Sequence, residues 1–145
     1  MIAGWDGGKT NSPEESIQLG VNLASCIELG DVISLNGELA AGKTTFMKGV
    51  LQGLGFKGEV TSPTFTLVNE YDSNPKVIHI DCYRESNLNR WISLGIYEYL
   101  ESESVIFIEW AELIKPLLPK KIIEISYRGN LFSRWATSTF FYEEN

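Results

Sequence analysis

The chain has 145 residues, 43% of them apolar, and a net charge of −7. That predicts one domain over residues 1–145 with room for a core, and no run approaches the ~18 apolar residues of a membrane span. A free-standing nucleic-acid binder would show a basic stripe; here basic excess appears only late, with Lys115, Lys120, Lys121, Arg128 and Arg134 against Glu124. One histidine and no cysteine pair leave no zinc site. Cys26 and Cys82, expected in a helix and a strand, read as buried small apolar residues, not a disulfide. Gly and Asp near the N-terminus stand where a signal peptide needs an apolar stretch, so the expected location is cytoplasmic.

Ser12-Pro13-Glu14-Glu15 opens the first helix: Ser12 can cap, Pro13 suits the first helical position, and Glu15 completes a capping box. Ile17, Gly20, Val21, Ala24 and Ile27 keep helical spacing, and Gly30 is expected to close the helix. Asp31–Asn36 then reads as a buried strand.

Gly37-Glu38-Leu39-Ala40-Ala41-Gly42-Lys43-Thr44 is the phosphate-loop pattern, a Gly, four residues and Gly-Lys-Ser/Thr. At ordinary residue frequencies a chain this long matches it by chance about once in a few hundred cases. Glycines let the chain turn tightly, so that backbone N–H groups converge on one concavity, and the next helix adds the positive end of its dipole. The amides of Glu38, Leu39, Ala40, Ala41, Gly42, Lys43, Thr44 and Thr45 are the expected anion cradle. Lys43 would reach the β- and γ-phosphates and Thr44 would ligate Mg²⁺. Thr45–Leu54 reads as the helix, with Met47, Val50, Leu51 and Leu54 on one face and Gly55 as its stop. Thr10–Ser12, and with it Ser12, is placed near the nucleotide base.

Thr61-Ser62-Pro63-Thr64-Phe65-Thr66 sets four hydroxyls around a proline directly after this helix. Chain order matches a switch loop, and Thr64 is the expected sensor of the γ-phosphate and Mg²⁺. A strand is expected over Phe65–Tyr71. Lys76–Asp81 and Val105–Glu109 are two apolar runs that each end in an acid. In open α/β sheets ligands bind at that edge; one acid can hold the metal and the other position water. Asp81 and Glu109 are therefore candidate metal ligands, and Asp81, Thr64 and Lys43 the candidate catalytic set. His79 shares a strand face with Val77 and Asp81 and could orient Asp81, although a structural histidine is the commoner case. Residues 86–100 read as helix divided near Gly95, with Leu88, Trp91, Ile92, Ile96 and Tyr99 on one stripe. Trp110 follows Glu109 to the ligand edge and is a candidate for packing on the nucleotide. Pro116 and Pro119 end a short helix, Ile122–Tyr127 alternates as a strand, Arg128-Gly129-Asn130 reads as a turn, and Phe132–Phe141 as the returning strand of a mixed sheet.

Together these stretches resemble the TsaE (YjeE) family of bacterial ATPases. The resemblance rests on Ser12–Glu15, Gly37–Thr45, Ser62-Pro63-Thr64-Phe65-Thr66-Leu67-Val68-Asn69-Glu70-Tyr71, His79-Ile80-Asp81-Cys82-Tyr83-Arg84, Leu94–Leu100 and Ile108-Glu109-Trp110. It implies an α/β fold: a single P-loop NTPase-like domain of three layers around a mixed central β-sheet. It implies ATP/ADP and Mg²⁺ as cofactors, slow hydrolysis, and work with the TsaD and TsaB proteins in threonylcarbamoyladenosine modification of adenosine 37 in tRNAs reading ANN codons. In that case tRNA is met only through the complex, and no membrane is involved. Family roles map onto Lys43 and Thr44 for phosphate and Mg²⁺, Thr64 in the loop, Asp81 as the Walker B-like acid, and Glu109 as a metal-linked acid beside Trp110. Ala40 replaces a usual glycine, which is tolerable if its φ is negative. A small P-loop kinase and a non-hydrolysing nucleotide-sensing module stay open as alternatives. The kinase would need a lid of arginines that Arg84, Arg90, Arg128 and Arg134 do not form in sequence.

Overall fold

The largely apolar run at 32–36 becomes a central strand because strands pair with both of its edges and helical layers bury both of its faces. The computed structural model describes residues 4–5, 7–37, 40–129 and 134–139. In chain order the elements are β1 (Gly7–Thr10), α1 (Pro13–Ala24), β2 (Val32–Asn36), α2 (Ala40–Gly53), β3 (Val68–Tyr71), β4 (Val77–Asp81), α3 (Leu88–Ser93), α4 (Ile96–Glu101), β5 (Val105–Glu109), a 3₁₀ segment (Ala111–Leu117), β6 (Ile123–Gly129) and β7 (Arg134–Thr139).

The seven strands form one mixed sheet in the order β1-β7-β6-β2-β5-β4-β3. Its centre, β6-β2-β5-β4, is parallel, and β1, β7 and β3 add antiparallel pairs at the margins. Alternation along the strands sorts two cores. Ile33, Leu35, Val77, Val105, Phe107, Ile123 and Ile125 pack under α1 and α2 with Phe46, Met47, Val50 and Leu51. Val32, Ile78, Ile80, Ile106 and Ile108 pack on the other face with Trp91, Ile96, Ala111 and Ile114 from α3, α4 and the 3₁₀ segment. The result is a three-layer α/β architecture. Phe46, Met47, Val50 and Leu51 are each at most 1% exposed; at about 1.5–3 kcal/mol per buried side chain they anchor α2 firmly. The helices α1 and α2 touch backbone to backbone: a Cβ on Gly20 would lie 2.3 Å from Phe46 O, and one on Gly49 would lie 2.0 Å from Ile17 O.

Several boundaries differ from the sequence expectation. The first helix starts as expected, with Ser12 Oγ accepting from Glu15 N at 3.2 Å, but Glu15 reaches back to Asn11 N at 3.0 Å. It ends at Ala24, and Gly30 (φ +90°) turns the chain before β2, well past the helix. The helix expected from Thr45 begins at Ala40, because the end of the phosphate loop is itself the first helical turn. Ala40 thus sits in right-handed backbone, which explains how an alanine is tolerated. The strand expected from Phe65 begins only at Val68: Leu67 N donates to Pro63 O at 2.7 Å, and Leu67 takes φ +69°, closing a turn over residues 63–67. The stretch at 86–100 is two helices divided at Gly95 (φ +93°), as read from sequence. Pro116 lies inside the 3₁₀ segment without ending it, and β6 runs on through Gly129, where a turn was expected. The returning strand is observed as β7, Arg134–Thr139; Asn130 and the flanks of the strand expected over Phe132–Phe141 lie outside the described residues. Cys82 is buried just after β4, whereas Cys26 is only half-buried beyond the end of α1; both are free thiols. No helix among the described residues is long and apolar enough to cross a membrane.

Candidate functional site

The connections that leave β2 and β5 diverge. From β2 the chain enters α2 on one face; from β5 it enters the 3₁₀ segment on the other. A crevice opens at such a junction, at the carboxyl ends of the strands. It is a cleft of about 390 Å³ lined by Leu35, Asn36, Gly37, Lys43, Trp110, Glu112 and Glu124.

Period-two alternation carries His79, Asp81 and Glu109 to the same sheet face as α2. Parallel register sets Asp81 directly beside Glu109. Lys43, in the first turns of α2, comes down onto this pair: its Nζ lies 2.9 Å from Glu109 Oε1, and both side chains are at most 4% exposed. Lys43 Nζ also donates to Gly37 O, which ties the helix head to the end of β2. The second Glu109 oxygen, Oε2, lies 2.7 Å from His79 Nε2. Burial by itself would raise the Glu109 carboxyl, but the close His79 contact and the charges of His79 and Lys43 outweigh it and hold the group below its ordinary value.

Asp81 is held differently. Thr64 Oγ1 donates to Oδ2 at 3.0 Å, and Tyr83 N donates to Oδ1 at 2.8 Å. Ser62 and Thr64 hydroxyls lie 2.7 Å apart; since the Thr64 proton goes to Asp81, Ser62 donates to Thr64. The hydroxyl loop is thereby fastened to the strand-end acid. The turn at Leu67, which presents Thr64, is completed by Asp81 N donating to Leu67 O at 2.9 Å.

The structure therefore brings Lys43, Glu109, Asp81 and Thr64 together. Trp110 takes left-handed backbone (φ +59°), lines the cleft and tilts its ring on Tyr83 at 5.0 Å. Thr44 and Thr45 stand half-buried in the first turns of α2. Ser12 is the N-cap of α1 and is absent from the described lining of the cleft. Glu38 and Leu39 lie outside the described residues, and of Ala40 and Ala41 the backbone alone is described. His79 is buried, and the acid it meets is not Asp81 but Glu109, two residues along β5 from its register partner Phe107. One residue reads from sequence only as the end of a strand and not as part of the site. Tyr127, on β6, lies against Gly42, so a Cβ there would fall 2.3 Å from its ring. The only sequence signal for it was its place in the alternation Ile123, Ile125, Tyr127.

A strand, a phosphate loop and a helix set against acids from two adjacent parallel strands define a P-loop NTPase-like α/β protein. A family model described as "Threonylcarbamoyl adenosine biosynthesis protein TsaE" matches residues 10–134. The tRNA threonylcarbamoyladenosine biosynthesis protein TsaE of Bacillus subtilis is 41% identical over 118 residues, 81% of this chain and 73% of that protein. The protein of the same name from Treponema pallidum is 38% identical over 119 residues, 82% of this chain and 88% of that one. The crystal structure of Bacillus subtilis YdiB matches with a TM-score of 0.73 at 33% identity, covering 94% of this chain and 86% of that one. The chain belongs to the TsaE family.

Proposed function

We propose that the chain binds ATP and ADP with Mg²⁺, hydrolyses ATP slowly, and acts with TsaD and TsaB in threonylcarbamoyladenosine modification of adenosine 37 in tRNAs reading ANN codons. The names of its relatives support the tRNA half of this reading. The observation that carries the nucleotide half is Lys43, presented by α2 at 2.9 Å from Glu109 with Asp81 in register alongside. The proposed setting is the cytoplasm, with tRNA met through the partner proteins.

Thr44, Asp81 and Glu109 offer only oxygen donors, the chemistry that suits Mg²⁺. Among the described residues no three His, Cys, Asp or Glu side chains form a self-contained metal centre. These three residues would therefore share the ion with phosphate oxygens and water. When bound, Mg²⁺ neutralises charge on the β- and γ-phosphates.

The chain's own residues do the rest. Backbone amides at the head of α2 cradle the phosphates, with Glu38 to Thr45 as the contributing stretch. Lys43 exchanges Glu109 for a phosphate, which frees one Glu109 oxygen. Asp81 and Glu109 then hold the ion or orient water, and Thr64, already fastened to Asp81, senses the γ-phosphate. Trp110 supplies an apolar wall to the cleft. Slow turnover is supported by the two arginines whose side chains are described: Arg84 stacks over Phe65 at 4.6 Å, and Arg90 lies 3.6 Å from Glu85. Neither is described near Lys43, and an arginine finger is worth ~10³–10⁵ in rate. Among the described residues, these two arginines lend no support to a kinase lid.

The test is ATP turnover by the chain alone and with TsaD, TsaB and tRNA, beside a screen of small phosphate acceptors. Slow turnover that rises with the partners is expected. Phosphate on a small acceptor would favour a kinase, and binding without any turnover a nucleotide-sensing module.

A further inference from the structure

His79 is the chain's one histidine, it is 1% exposed, and the chemistry above gives it no part. Its register neighbours are Asn69 on β3 and Phe107 on β5. An apolar side chain would fill this place at lower cost, because a buried imidazole loses its hydration and must find partners. The partner here is specific. Nε2 lies 2.7 Å from Glu109 Oε2, while Glu109 Oε1 lies 2.9 Å from Lys43 Nζ. The Nε2 contact is close without the alignment of a full hydrogen bond, and Nδ1 has no hydrogen-bond partner among the described residues. A proton on Nε2 sets the positive edge of the ring against the carboxylate. The other tautomer would turn a lone pair toward the carboxylate and strand a buried N–H.

We infer that His79 is a positioning residue that grips Glu109 by Oε2, so that Oε1 is the movable face, resting on Lys43 here and turning to the incoming nucleotide and its cation. This rests on the nucleotide reading above. Its physical basis is that a carboxylate with two free rotors loses orientation when Lys43 leaves it. A histidine on the far oxygen removes that freedom before the nucleotide arrives. Partners that orient an acid from behind typically change metal affinity or activity by about 10–100-fold when lost.

Wild type, His79→Leu and His79→Gln are compared by binding of a fluorescent ADP analogue and by ATP turnover. Leucine removes the donor; glutamine places an amide N–H near the position of Nε2. For His79→Leu, kcat is expected to fall about 10–100-fold, with KM and analogue affinity within about threefold of wild type, and His79→Gln is expected to recover most of the loss. A single histidine also gives an unambiguous nitrogen-15 spectrum without any turnover. A proton on Nε2 is expected with and without Mg·ADP, and its signal is expected to shift in Glu109→Ala. An Nε2 that carries no proton, a signal indifferent to Glu109→Ala, or equal losses in the leucine and glutamine variants would overturn the inference. Should His79→Leu not fold, the glutamine variant and the spectrum decide it. A wild type that binds no analogue would instead overturn the nucleotide reading, and the spectrum would still decide the grip on Glu109.

Discussion

Thr64 Oγ1 donates to Asp81 Oδ2 at 3.0 Å, joining a loop to a strand end 17 residues away. Tyr83 N occupies the other oxygen, so any group that draws Asp81 toward itself also pulls on the Thr64 loop. That loop carries Phe65, 81% exposed. Thr64→Val keeps the shape and removes the proton. It is expected to lower stability by about 1–2 kcal/mol, read from urea unfolding without nucleotide, and to reduce turnover. Unchanged unfolding and turnover together would leave this bond without consequence.

The Lys43–Glu109 pair is almost fully buried. Removing one partner strands the other charge, which costs about 3–5 kcal/mol, whereas removing both costs far less. Lys43→Met is therefore expected to destabilise the protein markedly, and Lys43→Met with Glu109→Gln to recover much of the loss, although neither should turn over ATP. Additive losses in the double variant would show that the two residues do not communicate.

Glu109 makes the pair sensitive to acid in a definite direction. Burial pushes its carboxyl up, but His79 and Lys43 prevail and hold it below the ordinary 4.5. An unfolded chain thus takes up this proton at a higher pH than the folded one. The stabilisation is complete above about pH 4.5 and is lost as pH falls through the lower folded value. The stability difference between wild type and Glu109→Gln, measured without nucleotide, is expected to shrink as pH drops from about 6 toward 3. A difference that widens toward acid would reverse the sign.

Gly42 is the phosphate-loop glycine against which the Tyr127 ring lies. A Cβ there would stand 2.3 Å from Tyr127 Cε1, Cζ and Oη, and the ring, on a residue 3% exposed, has little room to retreat. Gly42→Ala is expected to cost about 1–3 kcal/mol by overpacking and to weaken nucleotide binding. Adding Tyr127→Leu is expected to relieve part of the stability loss. No relief would place the strain in the loop backbone.

Cys82 is 0% exposed, and burial, then the charges of Asp81 and Glu112, push its thiol up to about 12. At about pH 8 only about one molecule in ten thousand carries the reactive thiolate. Alkylation of the folded protein is expected to mark Cys26 and spare Cys82, as read by peptide mass. Equal labelling of both would mean that the β4 end opens readily.

The sequence by itself determined the phosphate loop with its strand and helix, the two strands that end in Asp81 and Glu109, the division at Gly95, and the Ser12 cap. These are legible because each is local: apolar runs, spacing, and turn or capping chemistry lie within a dozen residues. The tertiary structure alone decided what meets what. Gly7–Thr10 has no apolar alternation and becomes a strand only because β7 pairs with it. Phe65 has strand character, yet a turn closed by Leu67 and Asp81 overrides it. From sequence His79 reads as a structural histidine that could at most orient Asp81, its neighbour along the strand; that it meets Glu109 on β5 depends on inter-strand register, which is set by packing across the sheet and which no local pattern encodes. The same holds for Tyr127 on Gly42, two residues far apart in the chain that meet because β6 pairs with β2, the strand that leads into α2.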